Sequence, residues 1–210
     1  MARKPLTKRR KNASQERSRA TVDALVEATA RILVREGFEK TSTNRIAEIA
    51  GVSVGSLYQY FPSKEALVAA VIDRHNDEIM QIVRAAFVEV ADMPVEKAVR
   101  RLVTVAIEAH HIDPNLHRVL AEQIPRSGRL AEVEAFNHEV HALVRAYFES
   151  RRKEMRKIDL DMATFICVSA IEAVAHNTVL HQAEMQSDKT VKTLVDETTR
   201  MVVGYLRPSG

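Results

Sequence analysis

The chain has 210 residues, of which 46% are hydrophobic and 28% are charged, a balance typical of a soluble globular protein rather than a disordered one. One cysteine, Cys167, excludes an internal disulfide, and no continuous apolar run approaches the roughly 18 residues that a membrane span needs. The basic N-terminus has no apolar segment behind it, so it does not resemble a signal peptide. We therefore expect a cytoplasmic protein without a membrane partner.

The net charge of +3 is unevenly distributed. Residues 1–63 carry 12 Lys and Arg against 6 Asp and Glu, whereas the remainder carries 19 against 22. A basic end on a near-neutral body favours a polyanionic partner, because neutralising phosphates releases counterions. The alternative is a solubilising tail. Residues 1–13 are predicted to be a disordered basic arm.

The first half of the chain has the pattern of four helices. The first spans about 15–36, with Ser14 as its N-cap and Gly37 as the residue that ends it. Two short helices follow at about 44–50 and 54–60, and Ser63 caps a long one at about 64–91. At 1.5 Å per residue the long helix would span roughly 42 Å.

The second half adds five more helices. Asp92 with Pro94, and Asp113 with Pro114, mark helix starts at about 93–110 and 114–123. The last three helices are predicted at about 129–156, 160–183 and 188–206. Alternating β-branched runs, which would indicate strands, are missing. The predicted fold is all-α with about nine helices: a three-helix domain at 14–63 and a larger helical domain at 64–210.

Residues 43–60 fit a helix-turn-helix. Two short helices that cross steeply need a small residue at their contact, which Ala47 supplies, and a turn residue free to take positive φ, which is Gly51. Apolar residues stand at the offsets of a shared core: Ile46, Ala50, Val52 and Leu57. Ser53 can cap the second helix and leave its N–H groups directed at a phosphate.

The stretch TSTNRIAEIAGVSVGSLYQYFPSKEAL at 41–67 resembles the N-terminal signature of TetR-family regulators, and the first helix at 19–38 is similar to that family's first helix. The resemblance implies that the helix at 54–60 enters the major groove while its neighbours hold the DNA backbone. The DNA contacts it implies, with our additions of Arg45 and Gln59, are Thr43, Arg45, Ser53, Val54, Gly55, Ser56, Tyr58, Gln59, Tyr60 and Lys64.

These residue types suit their expected roles. Ser56 and Gln59 are the best polar readers of base edges, and Val54 can pack on a thymine methyl group. Gly55 lets the backbone approach DNA closely, at a helix cost of about 1 kcal/mol. Tyr60 has a second interpretation, packing inside the small domain, and Arg45 could be merely solvated. In the arm, Arg3, Arg9, Arg10 and Lys11 are expected to contact phosphates rather than to read bases.

The helix at 160–183 is apolar around nearly its whole circumference, so it must be buried on more than one side. TetR-like proteins pair their last two helices with those of a second copy, which implies a homodimer on a near-palindromic operator. The alternative is a central helix of a monomer. The predicted dimer interface comprises Ile166, Ala170, Ala173, Val174, Leu194, Val195, Thr198 and Val202.

The resemblance also implies a ligand pocket among the middle helices, where an apolar or amphipathic effector would release the DNA. The predicted wall residues are Val83, Phe87, Ile107, His110, Leu120, Ile124, Phe136, Val140, Phe165, Ser169, Glu172 and His176. Each apolar member could equally be simple core. Ser169, Glu172 and His176 form a polar line that could face the pocket, the dimer interface or solvent.

Other functions find little support in the sequence. Histidine pairs such as His138 with His141 provide at most two of the three or four ligands that a metal site needs, and no catalytic motif or cofactor-binding loop is visible. We expect no enzyme, no metal and no cofactor. The alternative to the ligand-responsive repressor is a DNA-binding protein whose larger domain binds a protein partner.

Overall fold

The computed structural model describes residues 16–124, 130–180 and 187–208. Within them it has α-helices only, apart from one 3-10 turn at Arg152–Glu154. The predicted all-α architecture is confirmed. The helices are α1 (Glu16–Glu36), α2 (Thr43–Ala50), α3 (Val54–Tyr60), α4 (Lys64–Val90), α5 (Val95–His110), α6 (Pro114–Gln123), α7 (Leu130–Ser150), α8 (Leu160–Leu180) and, in this numbering, α9 (Asp188–Leu206).

The chain divides into two compact units. The first takes its described residues from Met1–Asp77 and Asn115–Val133, and the second from Glu78–Pro114 and Glu134–Gly210. The division falls within α4 rather than at the expected boundary of residues 63 and 64. The reason is packing, because the first turns of α4 bury Ala66, Leu67 and Val71 in the core of the first unit.

The first unit encloses a core of large aliphatic side chains and one phenylalanine. Its fully buried members include Leu25, Ile32, Leu33, Ile46, Leu57, Phe61 and Leu67. Two predicted local signals are confirmed: Gly37 has a φ of 81° at the end of α1, and the Ser63 hydroxyl accepts a hydrogen bond from the Ala66 N–H at 3.2 Å. Ser14 lies outside the described residues.

Helix α6 belongs to this first core, which corrects two predicted pocket residues. Leu120 and Ile124 pack with Leu116 and Val119 against the first unit, so they do not line a pocket in the second. Gln123 strengthens the attachment, because its Oε1 accepts a hydrogen bond from the Phe38 N–H at 3.1 Å. The sequence predicted the helix from Asp113 and Pro114, but not the unit against which it packs.

In the second unit, α5 packs against both α8 and α9. The apolar stripe of α9 faces this core: Val195, Thr198 and Val202 are only 6%, 5% and 3% exposed. Their assignment to the dimer interface is therefore corrected, since they are already buried within the protomer. The apolar stripe of α9 is buried as expected, but it packs against α5 and α8 of the same chain.

Two helix ends differ from the sequence prediction. Helix α5 begins at Val95 after Pro94, which has no capping side chain, and the Val95 N–H donates instead to Glu154 Oε2 at 3.0 Å. Asp92 is therefore not the cap. Helix α7 ends at Ser150 rather than near 156, and the 3-10 turn that follows carries Glu154 to its capping position.

Helix α8 is long and apolar enough to cross a membrane by length and composition, with a mean hydropathy of 1.4, but only 39% of that window is buried inside the protein. The expectation that no continuous apolar run is this long still holds, because Asp161, Ser169 and Glu172 interrupt the helix. Ala163, Cys167 and Ala175 lie in the core of the second unit. The helix is thus a core helix with a large apolar face left uncovered.

Candidate nucleic-acid interface and ligand cavity

Helices α2 and α3 meet through the turn that the sequence predicted. Gly51 has a φ of 67°, a left-handed conformation that glycine adopts without a Cβ penalty. Ala47, 1% exposed, lies in the core at the crossing, and its carbonyl accepts a hydrogen bond from the Val52 N–H at 3.0 Å. The backbone itself thereby fixes the angle at which α3 leaves the turn.

Both helices begin with a serine cap. Ser42 Oγ accepts a hydrogen bond from the Arg45 N–H at 3.3 Å, and Ser53 Oγ accepts one from the Ser56 N–H at 3.1 Å. Ser53 also donates to Ser56 Oγ at 3.0 Å. The caps define where the two helices start, so the side chains of their first turns have fixed positions.

The outer face of the motif is polar and exposed. Thr43 Oγ1 lies 3.1 Å from the Tyr58 hydroxyl, a hydrogen bond that joins the start of α2 to α3. Tyr58 is 41% exposed and Val54 37% exposed, and Gln59 and Gly55 are exposed beside them. The structure therefore exposes Val54, Gly55, Tyr58 and Gln59 of the predicted DNA contacts on α3, with Thr43 of α2 hydrogen-bonded to Tyr58.

Arg45 is exposed but already paired. Its Nη1 donates to Glu48 at 2.8 Å, and its Nε lies 3.9 Å from Glu36. The hydrogen bond and charge of Glu48 raise the pKa of Arg45, with a smaller contribution from Glu36. A phosphate contact by Arg45 would require it to exchange these carboxylates for the phosphate.

Two predicted DNA contacts lie elsewhere. Tyr60 is 7% exposed and donates to Ser18 Oγ at 3.2 Å, so the interpretation of this residue as core applies. Lys64 Nζ donates to the Phe38 carbonyl at 3.1 Å and lies 4.0 Å from the centre of the Phe38 ring. Both side chains stabilise the first unit, and the predicted arm residues Arg3, Arg9, Arg10 and Lys11 lie outside the described residues.

The second unit contains an apolar cavity of about 80 Å³, about half the roughly 150 Å³ of an engineered cavity that binds benzene. Helices α4, α5, α7, α8 and α9 all contribute to its wall. The lining residues are Ile79, Val83, Phe87, Val99, Leu102, Val105, Ala106, Ala109, His110, Phe136, Val140, Val144, Phe148, Cys167, Val168, Ile171, Glu172 and Val202.

The predicted pocket residues are therefore only partly brought together. Val83, Phe87, His110, Phe136, Val140 and Glu172 line the cavity. Ile107 is 2% exposed within the core, whereas Phe165 is 58% exposed on the outside of α8. Sequence reasoning missed the α5 wall at Val99, Leu102 and Ala106, although their spacing of three and four residues was a usable signal.

The polar line of α8 also divides. Glu172 lines the cavity, Ser169 is exposed and His176 is half-buried. Glu172 Oε1 lies 3.3 Å from His110 Nε2 of α5. Burial lowers the pKa of His110, but the hydrogen bond and charge of Glu172 and the Ala106 carbonyl outweigh it, so the pKa is raised overall.

Cys167 contributes a thiol to the cavity wall but no charge. The thiol is 2% exposed, and burial raises its pKa to about 12. It is therefore a neutral thiol at physiological pH, as expected of a cysteine in apolar surroundings. His110 and Glu172 remain the ionisable pair of the cavity wall.

The uncovered face of α8 is apolar. Met162 is 56% exposed, Phe165 58% and Ile166 38%, and Met201 on α9 is 52% exposed. Of the predicted interface, Ile166 and Ala173 are exposed, and Ala170, Val174 and Leu194 are half-buried. Met162, Phe165 and Met201 were missed, because the sequence does not reveal which side of a fully apolar helix faces outward.

Curated relatives match parts or most of the chain. It is 28% identical over 116 residues to the nucleoid occlusion factor SlmA of Haemophilus ducreyi, a match that covers 55% of each chain. An HTH-type transcriptional regulator of Staphylococcus aureus is 22% identical over 190 residues, or 89% of this chain and 97% of that one. The chain thus spans about half the length of the first relatives it matches.

Solved structures share the fold. The fatty acid degradation regulator FadR of Bacillus halodurans superposes with a TM-score of 0.70 at 19% identity, covering 90% of this chain and 97% of that one. A TetR-family regulator of Mesorhizobium loti gives a TM-score of 0.73 at 16% identity, covering 92% and 100%.

Two family models account for most of the chain. Residues 25–71 match the bacterial regulatory proteins of the tetR family. Residues 94–206, more than half of the chain, match the tetracyclin repressor-like C-terminal domain. The first match includes the whole of α2 and α3, whose exposed face is described above, and the second includes α5 to α9. The chain belongs to the TetR family of DNA-binding transcriptional regulators.

Proposed function

We propose that this protein is a cytoplasmic homodimeric repressor that binds a near-palindromic operator and is released by a small, largely apolar effector. The observation that carries the proposal is the exposed face of α2 and α3, where Thr43 and Tyr58 are hydrogen-bonded beside the exposed Gln59. That face presents hydrogen-bonding groups of the kind that read bases and hold phosphates.

The proposed DNA contacts divide into two classes. Thr43, Tyr58 and the N-terminal N–H groups of α3 behind Ser53 hold phosphates and set the register. Gln59 and Ser56 read base edges, Val54 packs on a thymine methyl group, and Gly55 allows the close approach. Arg45 joins the phosphate contacts once it leaves Glu48. Repression follows from occupancy, since a bound dimer excludes polymerase from the site.

The dimer proposal is supported by the uncovered apolar face of α8, defined by Met162, Phe165, Ile166 and Ala173, with Met201 of α9. A contiguous apolar patch on a soluble protein marks an interaction site, and a second copy presents the same patch in a two-fold arrangement. Two copies would place their α3 helices on half-sites about one DNA turn apart, roughly 34–36 Å.

The effector proposal is supported by the cavity in the second unit. Its wall is apolar except at His110 and Glu172, which favours an apolar or amphipathic molecule. Helix α4 supplies Leu67 to the first core and Val83 and Phe87 to the cavity wall. An effector that binds the DNA-free state more tightly than the DNA-bound state lowers DNA affinity by the ratio of those affinities.

A protein-binding role of the second unit is the alternative, favoured by the likeness to a nucleoid occlusion factor. Val88 of α4, 80% exposed, would be available to such a partner. The two functions differ in one outcome. An effector regulator releases DNA when a small apolar compound occupies the cavity, whereas a protein-binding factor keeps its DNA.

Selection from a random DNA pool at physiological salt tests the proposal. We expect enrichment of a near-palindrome that the protein binds about a thousandfold or more tightly than unrelated DNA. Gln59→Ala should change the enriched sequence, and Glu134→Gln, an exposed substitution in the second unit, is the matched control that should not. Recovery of DNA without any enriched sequence would refute sequence-specific binding.

A further inference from the structure

The cavity of the second unit has one polar point in an apolar wall. His110 is contributed by the last turn of α5 and Glu172 by the middle of α8, and the other lining residues are apolar apart from the neutral thiol of Cys167. A thiol forms only weak hydrogen bonds, so a ligand that fills this cavity finds its strong side-chain hydrogen bonds at this pair. The hydrogen-bonding capacity left at the pair determines which head group fits.

Both ring nitrogens of His110 act as donors. Nδ1 lies 2.7 Å from the Ala106 carbonyl, which can only accept a hydrogen bond. Nε2 lies 3.3 Å from Glu172 Oε1, and an ionised carboxylate also only accepts. This geometry favours the protonated ring, which is held at the C-terminal end of α5, where the helix dipole favours a positive charge.

Glu172 retains an acceptor. Its Oε1 lies 3.3 Å from His110 Nε2, and an ionised carboxylate has about four lone-pair sites on its two oxygens, of which one hydrogen bond from His110 uses a single site. The side chain keeps 45% of its surface accessible, whereas His110 keeps 5%. The polar point thus offers an incoming molecule a carboxylate oxygen to donate to, while the imidazolium donors are already used.

We infer that the effector is an apolar molecule whose polar end is a hydrogen-bond donor, a hydroxyl or an ammonium group, anchored by Glu172 with His110 as the residue that positions it. This inference rests on the proposed effector role of the cavity and gives that role a chemical class. A carboxylate ligand is disfavoured, because its charge would meet the charge of Glu172 in an apolar wall.

The size of the cavity limits the apolar part. About 80 Å³ is about half of the roughly 150 Å³ that accommodates benzene in an engineered cavity, so each probe has a single unbranched alkyl chain. Four eight-carbon probes separate the chemistry: 1-octanol donates, octylamine donates and is charged, 1-methoxyheptane accepts only, and octanoate is an anion. The first and third probes are isomers of equal size.

Isothermal titration of the full-length protein with these probes, in the absence of DNA, tests the inference. We expect 1-octanol and octylamine to bind about tenfold to a hundredfold more tightly than 1-methoxyheptane, the range for a hydrogen bond to a charged group. Octanoate should bind most weakly. Equal affinities for the four probes, or the tightest binding by octanoate, would overturn the inference.

Three variants assign the effect to Glu172. Glu172→Leu should bring the affinities for 1-octanol and 1-methoxyheptane to within about twofold, and Glu172→Gln should weaken octylamine more than 1-octanol. Glu149→Gln removes an exposed carboxylate of α7 that does not line the cavity, so it should behave as the wild type. Unchanged selectivity in Glu172→Leu would exclude Glu172 as the anchor.

A cavity-filling variant, Val168→Phe, keeps the test decisive if Glu172→Leu fails to fold, because it should abolish binding of 1-octanol and octylamine while DNA binding persists. Release of an enriched DNA site by the same probes is measured separately. Selective binding without release would retain the ligand class and refute the effector role. Release of DNA without a preference for donor probes would support the effector role and refute the ligand class. If no probe binds, the inference is overturned.

Discussion

The two units differ in the surfaces that they offer to other molecules. The first unit buries Leu25, Leu57 and Phe61 completely in its core and exposes the hydrogen-bonding side chains of Tyr58 and Gln59. The second unit leaves a cavity inside and an apolar face of α8 outside. A closed core holds a reading surface in a fixed geometry, whereas a core with unfilled space and an uncovered face is suited to bind other molecules.

The largest expected effect separates the two faces of α9. Val195→Glu places a charge at a side chain that is 6% exposed in the second core, which should destabilise the protein by about 4 kcal/mol or more. Thr193→Glu, at an exposed position of the same helix and outside the proposed dimer interface, should leave folding nearly unchanged. Thermal unfolding measures both, and similar melting temperatures for the two variants would contradict the assigned orientation of α9.

The uncovered face of α8 is tested by Phe165→Glu. The side chain is 58% exposed, so the protomer should fold, but a charge in the proposed interface should give monomers by light scattering. Affinity for a palindromic site should fall by about a hundredfold, because two linked half-site contacts become one. Ser150→Glu, an exposed change at the end of α7, is the control. A Phe165→Glu dimer of normal affinity would rule out this face as the interface.

The reading surface is tested by Gln59→Ala. An exposed side chain contributes little to folding, so the melting temperature should stay within about a degree. Discrimination at one base pair of each half-site should fall by about 1–3 kcal/mol, the value of a good side-chain pairing with a base. The measurement is a set of affinities for single-base variants of the enriched site, and an unchanged preference at every position would show that Gln59 reads no base.

Tyr58→Phe should have a smaller and uniform effect. It removes the hydroxyl that lies 3.1 Å from Thr43 Oγ1, so we expect affinity for all DNA sequences to fall by about 1 kcal/mol. Tyr60→Phe is the matched control, since its hydroxyl bonds Ser18 inside the unit. Competition with unrelated DNA distinguishes backbone contacts from base contacts. A loss of affinity confined to one DNA sequence would show that Tyr58 reads a base.

The smallest effect concerns pH. The raised pKa of His110 means that the folded state binds its proton more tightly than the unfolded state. This stabilisation is present in full below the ordinary value of 6.5 and is lost as pH rises through the raised value. The difference in melting temperature between wild type and Glu172→Gln should therefore shrink from pH 5.5 to pH 8.5. A difference in melting temperature that does not change with pH would contradict the proposed ion pair of His110 and Glu172.

The sequence predicted the motif of residues 43–60 well because its determinants are local. Gly51 takes positive φ, and Ser53 caps α3, from information within a few residues. The same holds for the helix bounds, which differ mainly where distant contacts intervene. Glu154 caps α5 across 59 positions of sequence, and nothing near Val95 signals such a partner.

It was much harder to predict which core or interface each apolar helix face packs against. Leu120 and Ile124 lie in the first core and Val202 in the wall of the cavity, whereas the sequence analysis assigned the first two to the ligand pocket and Val202 to the dimer interface. A helical stripe specifies that a face is buried but not what covers it. Tyr60 and Lys64 show the same limit within the motif, because hydrogen bonds to Ser18 and Phe38 hold these polar side chains within the first unit.

The central claim, that two copies of α3 read one operator, is tested most directly by changing the spacing of the enriched half-sites. Inserting five base pairs turns the second half-site to the opposite face of the duplex. We predict that affinity then falls to that of a single half-site, while substitution of the central base pairs at constant length has a much smaller effect. Equal affinity for the original and lengthened sites would contradict a dimer that reads both halves together.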